Sequence, residues 1–236
     1  MIAALLALTL SSSTIDDPTY GAPRRVWVYT SPGAEGHPHN LLILLGGETY
    51  MDDFALPAML EPLVASGKVP PTVAVMVDTS AQRPADLANS PKFDAFVMKT
   101  LLPFIRARAG GLPEPRRVTV CGFSVGGLTA AYLAFRHPDV FGNVLSQSGA
   151  FWRGPSDAPD PPEWLTEQLR THPRLPIRFY LEVGGAETRI LDANRHLRDV
   201  LAARKYVFAY TEVPGAKHDV AHWRTALWAG VVYLGR

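Results

Sequence analysis

The stretch RVTVCGFSVGGLTAAYLAF, Arg117 to Phe135, decides the reading of this chain. Its opening, Arg117–Cys121, is a short run rich in β-branched apolar residues, the composition of a buried strand. Its end, LTAAYLAF, is a helix candidate. Between them Gly122-Phe123-Ser124-Val125-Gly126 spells G-x-S-x-G. In a strand-turn-helix setting this pattern places the serine on a strained turn, and the small residues beside it let the helix pass close to the strand. The hydroxyl of Ser124 is then pushed out at the C-terminal edge of a sheet, with a helix N-terminus aimed at it. A Gly-rich turn after any strand would match the bare motif; the strand before it and the helix after it favour a nucleophile.

Outward from this point the same rhythm repeats. Strands are expected at Arg25–Thr30, Leu41–Leu45, Thr72–Val77, Asn143–Ser146, Ile177–Val183 and Val207–Val213, several of them apolar throughout, as in LLILL and TVAVMV. Such runs suit strands covered on both faces by helices. Helices are expected at Phe54–Ser66, Phe93–Ala109, Gly126–Arg136, Leu191–Arg204 and from about Asp219 to Leu234. In the second of these, Phe93, Phe96, Val97, Leu101, Phe104 and Ile105 recur at three- and four-residue steps and mark one buried face. Strand-helix alternation implies right-handed crossovers and a mostly parallel sheet, so the fold class is α/β. The proline-rich segment GPSDAPDPPE, Gly154–Glu163, reads as an insertion that shapes a substrate pocket.

Composition narrows the possible roles. The 236 residues carry 23 Lys+Arg against 22 Asp+Glu, without the cationic surplus that phosphate binding requires, so no nucleic-acid partner is expected. An apolar fraction of 47% can bury enough surface to offset chain entropy. The single cysteine, Cys121, excludes an internal disulfide and a cysteine-rich zinc site. The run MIAALLALTL is half the length of a membrane span and has no basic start. It is expected to be an N-terminal strand or helix of a soluble, cytoplasmic protein, the alternative being a signal remnant over residues 1–13 of an exported one.

A serine hydroxyl is a poor nucleophile near neutral pH and needs a histidine base and an acid, in the chain order Ser, acid, His. His218, in the loop PGAKHD between the last strand and the last helix, stands where such a fold delivers its base. His137 reads as a helix cap, and His172 and His196 as exposed. His222 gives HDVAH the i, i+4 spacing of a zinc helix, but Asp219 replaces the required glutamate and no third ligand is signalled. His222 is therefore expected on the surface or in packing, Asp219 as a helix N-cap, and no metal or cofactor is expected. Among Glu182, Glu187, Asp192 and Glu212, Glu187 follows a strand and the turn Gly184-Gly185-Ala186 and is the preferred acid; Asp192 stays open. Oxyanion donors are expected from the Val125 amide and from the Gly47 or Glu48 amide after LLILL, each worth roughly 3–4 kcal/mol.

These residues, taken in order, resemble the esterase D group of α/β-hydrolases and within it the enterochelin (ferric enterobactin) esterases. The resemblance is carried by RRVWVYTSPG (24–33), LLILLGGETY (41–50), RPADL (83–87), GFSVGGLTAAYLAFRHPDVFG (122–142), LSQSGAFW (145–152), LEVGGAE (181–187) and GAKHDVAHWR (215–224). It implies an α/β-hydrolase fold over a single domain, residues 1–236, with Ser124 as nucleophile, His218 as base and Glu187 as acid. It also implies that Arg83, Trp152 and Arg224 lie near the substrate. The resemblance covers only the C-terminal part of full enterochelin esterases, so their separate N-terminal domain is expected to be absent, and Asp86 stands where the family has Glu.

The expected activity is hydrolysis of a carboxylic ester through an acyl-enzyme, the small-molecule substrate being the trilactone of a catecholate siderophore. The alternatives are a feruloyl, acetyl or short-acyl esterase, an acyltransferase with the same triad, and a non-catalytic ferric-siderophore binder. The sequence assigns no oligomeric state.

Overall fold

The computed structural model describes residues 9–35, 40–79, 87–154 and 163–236. Among these residues eight strands form one sheet: β1 Thr9–Asp17, β2 Ala22–Thr30, β3 Asn40–Leu45, β4 Thr72–Val77, β5 Val118–Phe123, β6 Asn143–Gln147, β7 Arg178–Gly184 and β8 Val207–Val213. Their order is β1-β2-β4-β3-β5-β6-β7-β8. β1 and β2 run antiparallel to their neighbours, and β4 through β8 are joined in parallel. The α/β class and the mostly parallel sheet are as expected.

β1 is the strand the sequence did not announce as such. Its core, SSSTIDD, is polar because an edge strand needs few apolar residues. What ties it down is a buried ion pair, Arg24 Nη2 to Asp17 Oδ2 at 3.2 Å, and the apolar grip of Ile15 on the core.

Among the described residues eight α-helices cover the sheet. On one face lie α1 Gly47–Asp52, α2 Leu56–Ala65 and α8 Val220–Leu234, packing Tyr50, Phe54, Leu60, Trp223 and Leu227 against Leu42, Leu44, Met76 and Leu145. On the other lie α3 Pro91–Phe96, α4 Leu102–Ala109, α5 Val125–Arg136, α6 Trp164–Thr171 and α7 Thr188–Ala203. Alternate residues of β3 serve the two faces: Leu41, Ile43 and Leu45 one, Leu42 and Leu44 the other. Each such buried side chain is worth roughly 1.5–3 kcal/mol, which is why β3 is leucine and isoleucine throughout from Leu41 to Leu45.

The helix expected over Phe93–Ala109 is interrupted by a π turn, Val97–Leu101, where the Leu102 amide bonds to the Val97 carbonyl five residues back. Pro103 explains it: a proline has no N–H and its ring collides with the carbonyl four residues earlier, so the helix widens by one residue to pass it.

Candidate active site

Leu45 of β3 pairs with Gly122 of β5, and Gly122 with Ser146 of β6. This register brings the residues just beyond three strands, Gly46-Gly47, Ser124 and Ser148, to one edge of the sheet. Ser124 leaves β5 with φ 56° and ψ −124°, a conformation a non-glycine residue adopts only when its surroundings enforce it. Here the Ser124 amide donates to the Gln147 carbonyl at 2.8 Å and the Ser124 carbonyl accepts from the Ala150 amide at 2.9 Å. The tightness of the turn also dictates its glycines. A Cβ on Gly122 would stand 2.4 Å from the Gly126 carbonyl oxygen, and one on Gly127 2.4 Å from Ser146 Oγ. The G-x-S-x-G-G spelling is thus a steric requirement of bringing α5 onto β5.

The base and acid arrive from the neighbouring strands. His218, in the loop after β8, places Nε2 2.9 Å from Ser124 Oγ. Its Nδ1 lies 2.5 Å from Glu187 Oε2. Glu187 immediately precedes α7, and its other oxygen accepts from Ser148 Oγ at 2.6 Å and from the Gly184 amide at 2.9 Å. Burial works against its charged form. The hydrogen bonds from His218, Ser148 and Gly184 outweigh that penalty and hold the carboxyl below its usual range. Glu187 is therefore a carboxylate when it meets His218.

Val125 and Gly47 are the first residues of α5 and α1, positions at which a helix leaves amides without intrahelical partners. Gly126 packs so near the end of β3 that a Cβ on it would touch the Leu45 carbonyl at 3.3 Å. The two helix N-termini thus converge on the Ser124 side of the edge, with Glu48 second in α1. The Glu48 side chain turns back to accept from the Thr79 amide at 3.3 Å.

A nucleophile-base-acid line with two helix N-termini beside it is the arrangement of acyl transfer. The family model described as "Putative esterase" matches residues 18–234. The chain belongs to this esterase family. It is 34% identical over 215 residues to an iron(III) enterobactin esterase of Escherichia coli O6:H1, covering 89% of this chain and 53% of that protein. The crystal structure of the enterobactin esterase of Shigella flexneri in the presence of enterobactin superposes with a TM-score of 0.86 at 28% identity, covering 96% of this chain and 58% of that one. The S-formylglutathione hydrolase of Staphylococcus aureus shares the fold, with a TM-score of 0.78 at 14% identity, covering 98% of this chain and 100% of that one. The chain spans about half the length of the curated relatives it matches.

Around Ser124, His218 and Glu187 the structure sorts the remaining expectations. Asp192 lies within α7 with its side chain 69% exposed and pairs with Arg195 at 3.8 Å, so the acid facing His218 is Glu187. Trp152 lines an open depression of about 330 Å³ beside the triad, together with Ala186, Glu187, Thr188, Arg189, Ile190 and His218. Arg224 is exposed on α8 and is not among the residues lining that depression. Arg83 and Asp86 lie outside the described residues, as do residues 1–8 of the N-terminal run and residues 155–162 of the proline-rich segment.

Asp219 caps α8 as expected, accepting from the His222 amide at 2.9 Å. His137 is the C-terminal cap residue of α5 and meets Asp94 at 2.5 Å; His196 pairs with Glu163. Cys121 is not a competing nucleophile: burial pushes its thiol up to about 12 against the opposing Tyr50 hydrogen bond. Among the described residues no group of three or more His, Cys, Asp or Glu is placed to hold a metal, and no helix is long and apolar enough to cross a membrane.

Four contributors escaped the sequence reading. Ser148, with φ 48°, bridges Glu187 and Trp223, whose Nε1 donates to Ser148 Oγ at 2.9 Å. Trp223 itself stacks on Phe123 at 4.6 Å and sets its ring edge-on to His218 at 4.7 Å. Arg189 lies with its guanidinium 3.9 Å from the Trp152 ring centroid. His222, expected on the surface or in packing, is turned inward, its side chain only 6% exposed and in contact with Glu182.

Proposed function

We propose that this chain is a serine esterase whose nucleophile, base and acid are Ser124, His218 and Glu187. The reading rests on one observation: His218 Nε2 is 2.9 Å from Ser124 Oγ while its Nδ1 is held by Glu187. Ser124 Oγ attacks the ester carbonyl carbon as its proton passes to His218 Nε2. The oxyanion that forms is met by the Val125 amide and by the Gly47 or Glu48 amide. The resulting imidazolium is stabilised by the Glu187 carboxylate and gives its proton to the departing alkoxide, leaving an acyl-serine. Water then repeats the sequence, losing a proton to His218, and releases the carboxylic acid and Ser124.

The substrate class we favour is the trilactone of a catecholate siderophore, free or as its ferric complex. Two observations support it. The similar proteins are named for enterobactin, and the depression beside the triad has a flat aromatic wall, Trp152, flanked by cations. Arg189 lies 3.9 Å and Arg153 5.6 Å from its ring centroid. A catechol ring stacks on such a surface, and its anionic oxygens suit the guanidinium groups. The surplus positive charge is local and therefore invisible in a net charge of +1.

The test is hydrolysis of ferric and apo trilactone siderophores, feruloyl esters and short acyl esters, followed by mass spectrometry with and without an alcohol acceptor. Opening of the trilactone to linear fragments is expected; preference for a feruloyl or short acyl ester, or acyl transfer to the alcohol, reassigns the substrate. Ser124→Ala should lower turnover of a p-nitrophenyl ester by at least ~10³-fold, and unchanged turnover would sink the mechanism.

A further inference from the structure

The turn that carries His218 is unusually short. The Asp219 amide donates to the Lys217 carbonyl at 2.9 Å, closing a three-residue loop with His218 at its centre. Such a ring is weak alone, because its single hydrogen bond is bent. Here the Lys217 carbonyl takes a second donor: His222 Nδ1 lies 3.0 Å from it. A carbonyl oxygen only accepts, so Nδ1 of His222 must carry a proton, and that excludes the tautomer protonated on Nε2 alone.

The opposite nitrogen, His222 Nε2, is against Glu182 Oε1. Glu182 lies inside β7 with its side chain 1% exposed, and Gln147 Nε2 approaches its other oxygen at 3.4 Å. The same Gln147 nitrogen donates to the Trp223 carbonyl at 2.7 Å. The charged and polar groups facing His222 are thus Glu182 from β7, Glu187 Oε1 at 3.9 Å, the Lys217 carbonyl, and the Asp219 cap on its own amide. Nothing in the proposed esterase chemistry uses the Glu182–His222 pair, yet this buried carboxyl and imidazole stand one residue from Trp223 and five from Glu187.

We propose that His222 is a positioning residue for the base: seated on Glu182, it presents Nδ1–H to the Lys217 carbonyl and clamps the turn that aims His218 at Ser124. The proposal rests on the serine-esterase reading of the same site. It makes the two histidines of HDVAH unequal partners, one exchanging protons with substrate through Nε2, the other keeping a proton on Nδ1 throughout. A base misdirected by about 1 Å costs up to ~10²-fold in rate, so the clamp should be visible in kcat and not in KM.

The test separates the two ring nitrogens. In His222→Asn the side-chain amide reaches the place of Nδ1; in His222→Gln it reaches the place of Nε2; His222→Ala has neither. With a p-nitrophenyl ester, Ala and Gln should each lose about 10- to 100-fold in kcat at little change in KM, and Asn should recover at least half of that loss on a logarithmic scale. Equal losses in Asn and Gln, or no loss in any of the three, overturn the proposal. A second measurement needs no variant to fold: in ¹⁵N-histidine NMR of the wild-type chain, His222, assigned by sequential backbone connectivities, should keep Nδ1 protonated through neutral pH. An Nε2–H tautomer with bare Nδ1 overturns it. Retained turnover in Ser124→Ala would instead remove the esterase reading while leaving the NMR result intact, so the two failures are distinguishable.

Discussion

Two histidine–glutamate pairs lie within a few ångströms of each other, and they differ in what surrounds them rather than in chemistry. His218 and Glu187 open outward: the histidine side chain is 35% exposed and its free nitrogen meets Ser124 Oγ. His222 and Glu182 are sealed, at 6% and 1% exposure. Glu187 receives three hydrogen bonds and is held below the ordinary carboxylate range. Glu182 has burial and the neighbouring Glu187 charge pushing it up, against His222 and Gln147, and ends above that range. A carboxyl is thus made a firm anion, or one prone to share a proton, by the balance between its burial and the donors supplied to it. In the proposed mechanism only the first kind can stabilise the imidazolium formed when Ser124 is deprotonated.

The largest expected effect exploits that difference. Glu187→Gln removes the charge that orients His218 and should lower kcat by ~10²- to 10⁴-fold, as loss of the triad acid does elsewhere. Glu182→Gln removes a carboxyl that never touches His218 and should cost at least ~10-fold less. Steady-state kinetics on one p-nitrophenyl ester compares them directly. If Asp192→Asn matched Glu187→Gln, the acid would have to be reassigned.

A middle-sized effect comes from Ser148→Ala, which takes one donor from Glu187 Oε1 and the acceptor from Trp223 Nε1. We expect a fall of ~10-fold in kcat, with Trp223 fluorescence reporting the altered indole environment. An unchanged rate would mean that the Gly184 amide alone sustains the acid.

How much of this was readable follows from sequence distance. The turn at Ser124 is written in six contiguous residues: the demand on Gly122 comes from Gly126 within the same stretch, while Gly126 and Gly127 answer to Leu45 and Ser146 on the neighbouring strands. Glu187 and His218 were found because each follows directly on a strand whose end must lie at the same edge. Ser148 and His222 were not, since their roles depend on partners 39 and 40 residues away, Glu187 for one and Glu182 for the other. Periodicity marks His222 as a first-turn helix residue but is silent on whether its ring turns to water or to a buried carboxyl. Arg189 escaped notice because a lone cation opening a helix has no signature; only the Trp152 ring beneath it gives it meaning. β1 was hidden by its polar edge composition, and the π turn by the ordinary look of Leu102-Pro103 within an apolar stripe.

The pH dependence of stability sharpens the comparison further. Glu187 is depressed in the folded chain, so the stability it confers is fully present above the unfolded carboxyl range, about pH 4.3, and is lost as pH falls through its lower folded value. Glu182 is raised, and the sign reverses: ionising it costs stability as pH climbs from the unfolded range through its folded value. Thermal melts should therefore show the gap between wild type and Glu187→Gln closing on acidification, while Glu182→Gln gains relative to wild type as pH rises from about 4 toward neutrality. Parallel pH curves for the two variants would mean that both carboxyls share one environment.

The smallest effect belongs to a third carboxylate, one strand further out. Glu212 of β8 pairs in register with Val183, next to Glu182 on β7. Arg195 bonds both of its oxygens, at 2.8 and 2.7 Å, and Tyr210 donates a third hydrogen bond at 2.9 Å. The Arg195 hydrogen bonds, acting against a slight burial penalty, hold its carboxyl at about 2. Yet both partners are solvated, and water screens most of what the geometry offers. Glu212→Gln should lower Tm by only about 1–2 °C at neutral pH, and the difference should shrink in molar salt and vanish as the pH falls toward 2. Three donors act on Glu212 as three act on Glu187, so a shift from Glu212→Gln as large as that from Glu187→Gln would show that donor number alone, and not exclusion of water, sets the worth of a carboxylate in this sheet.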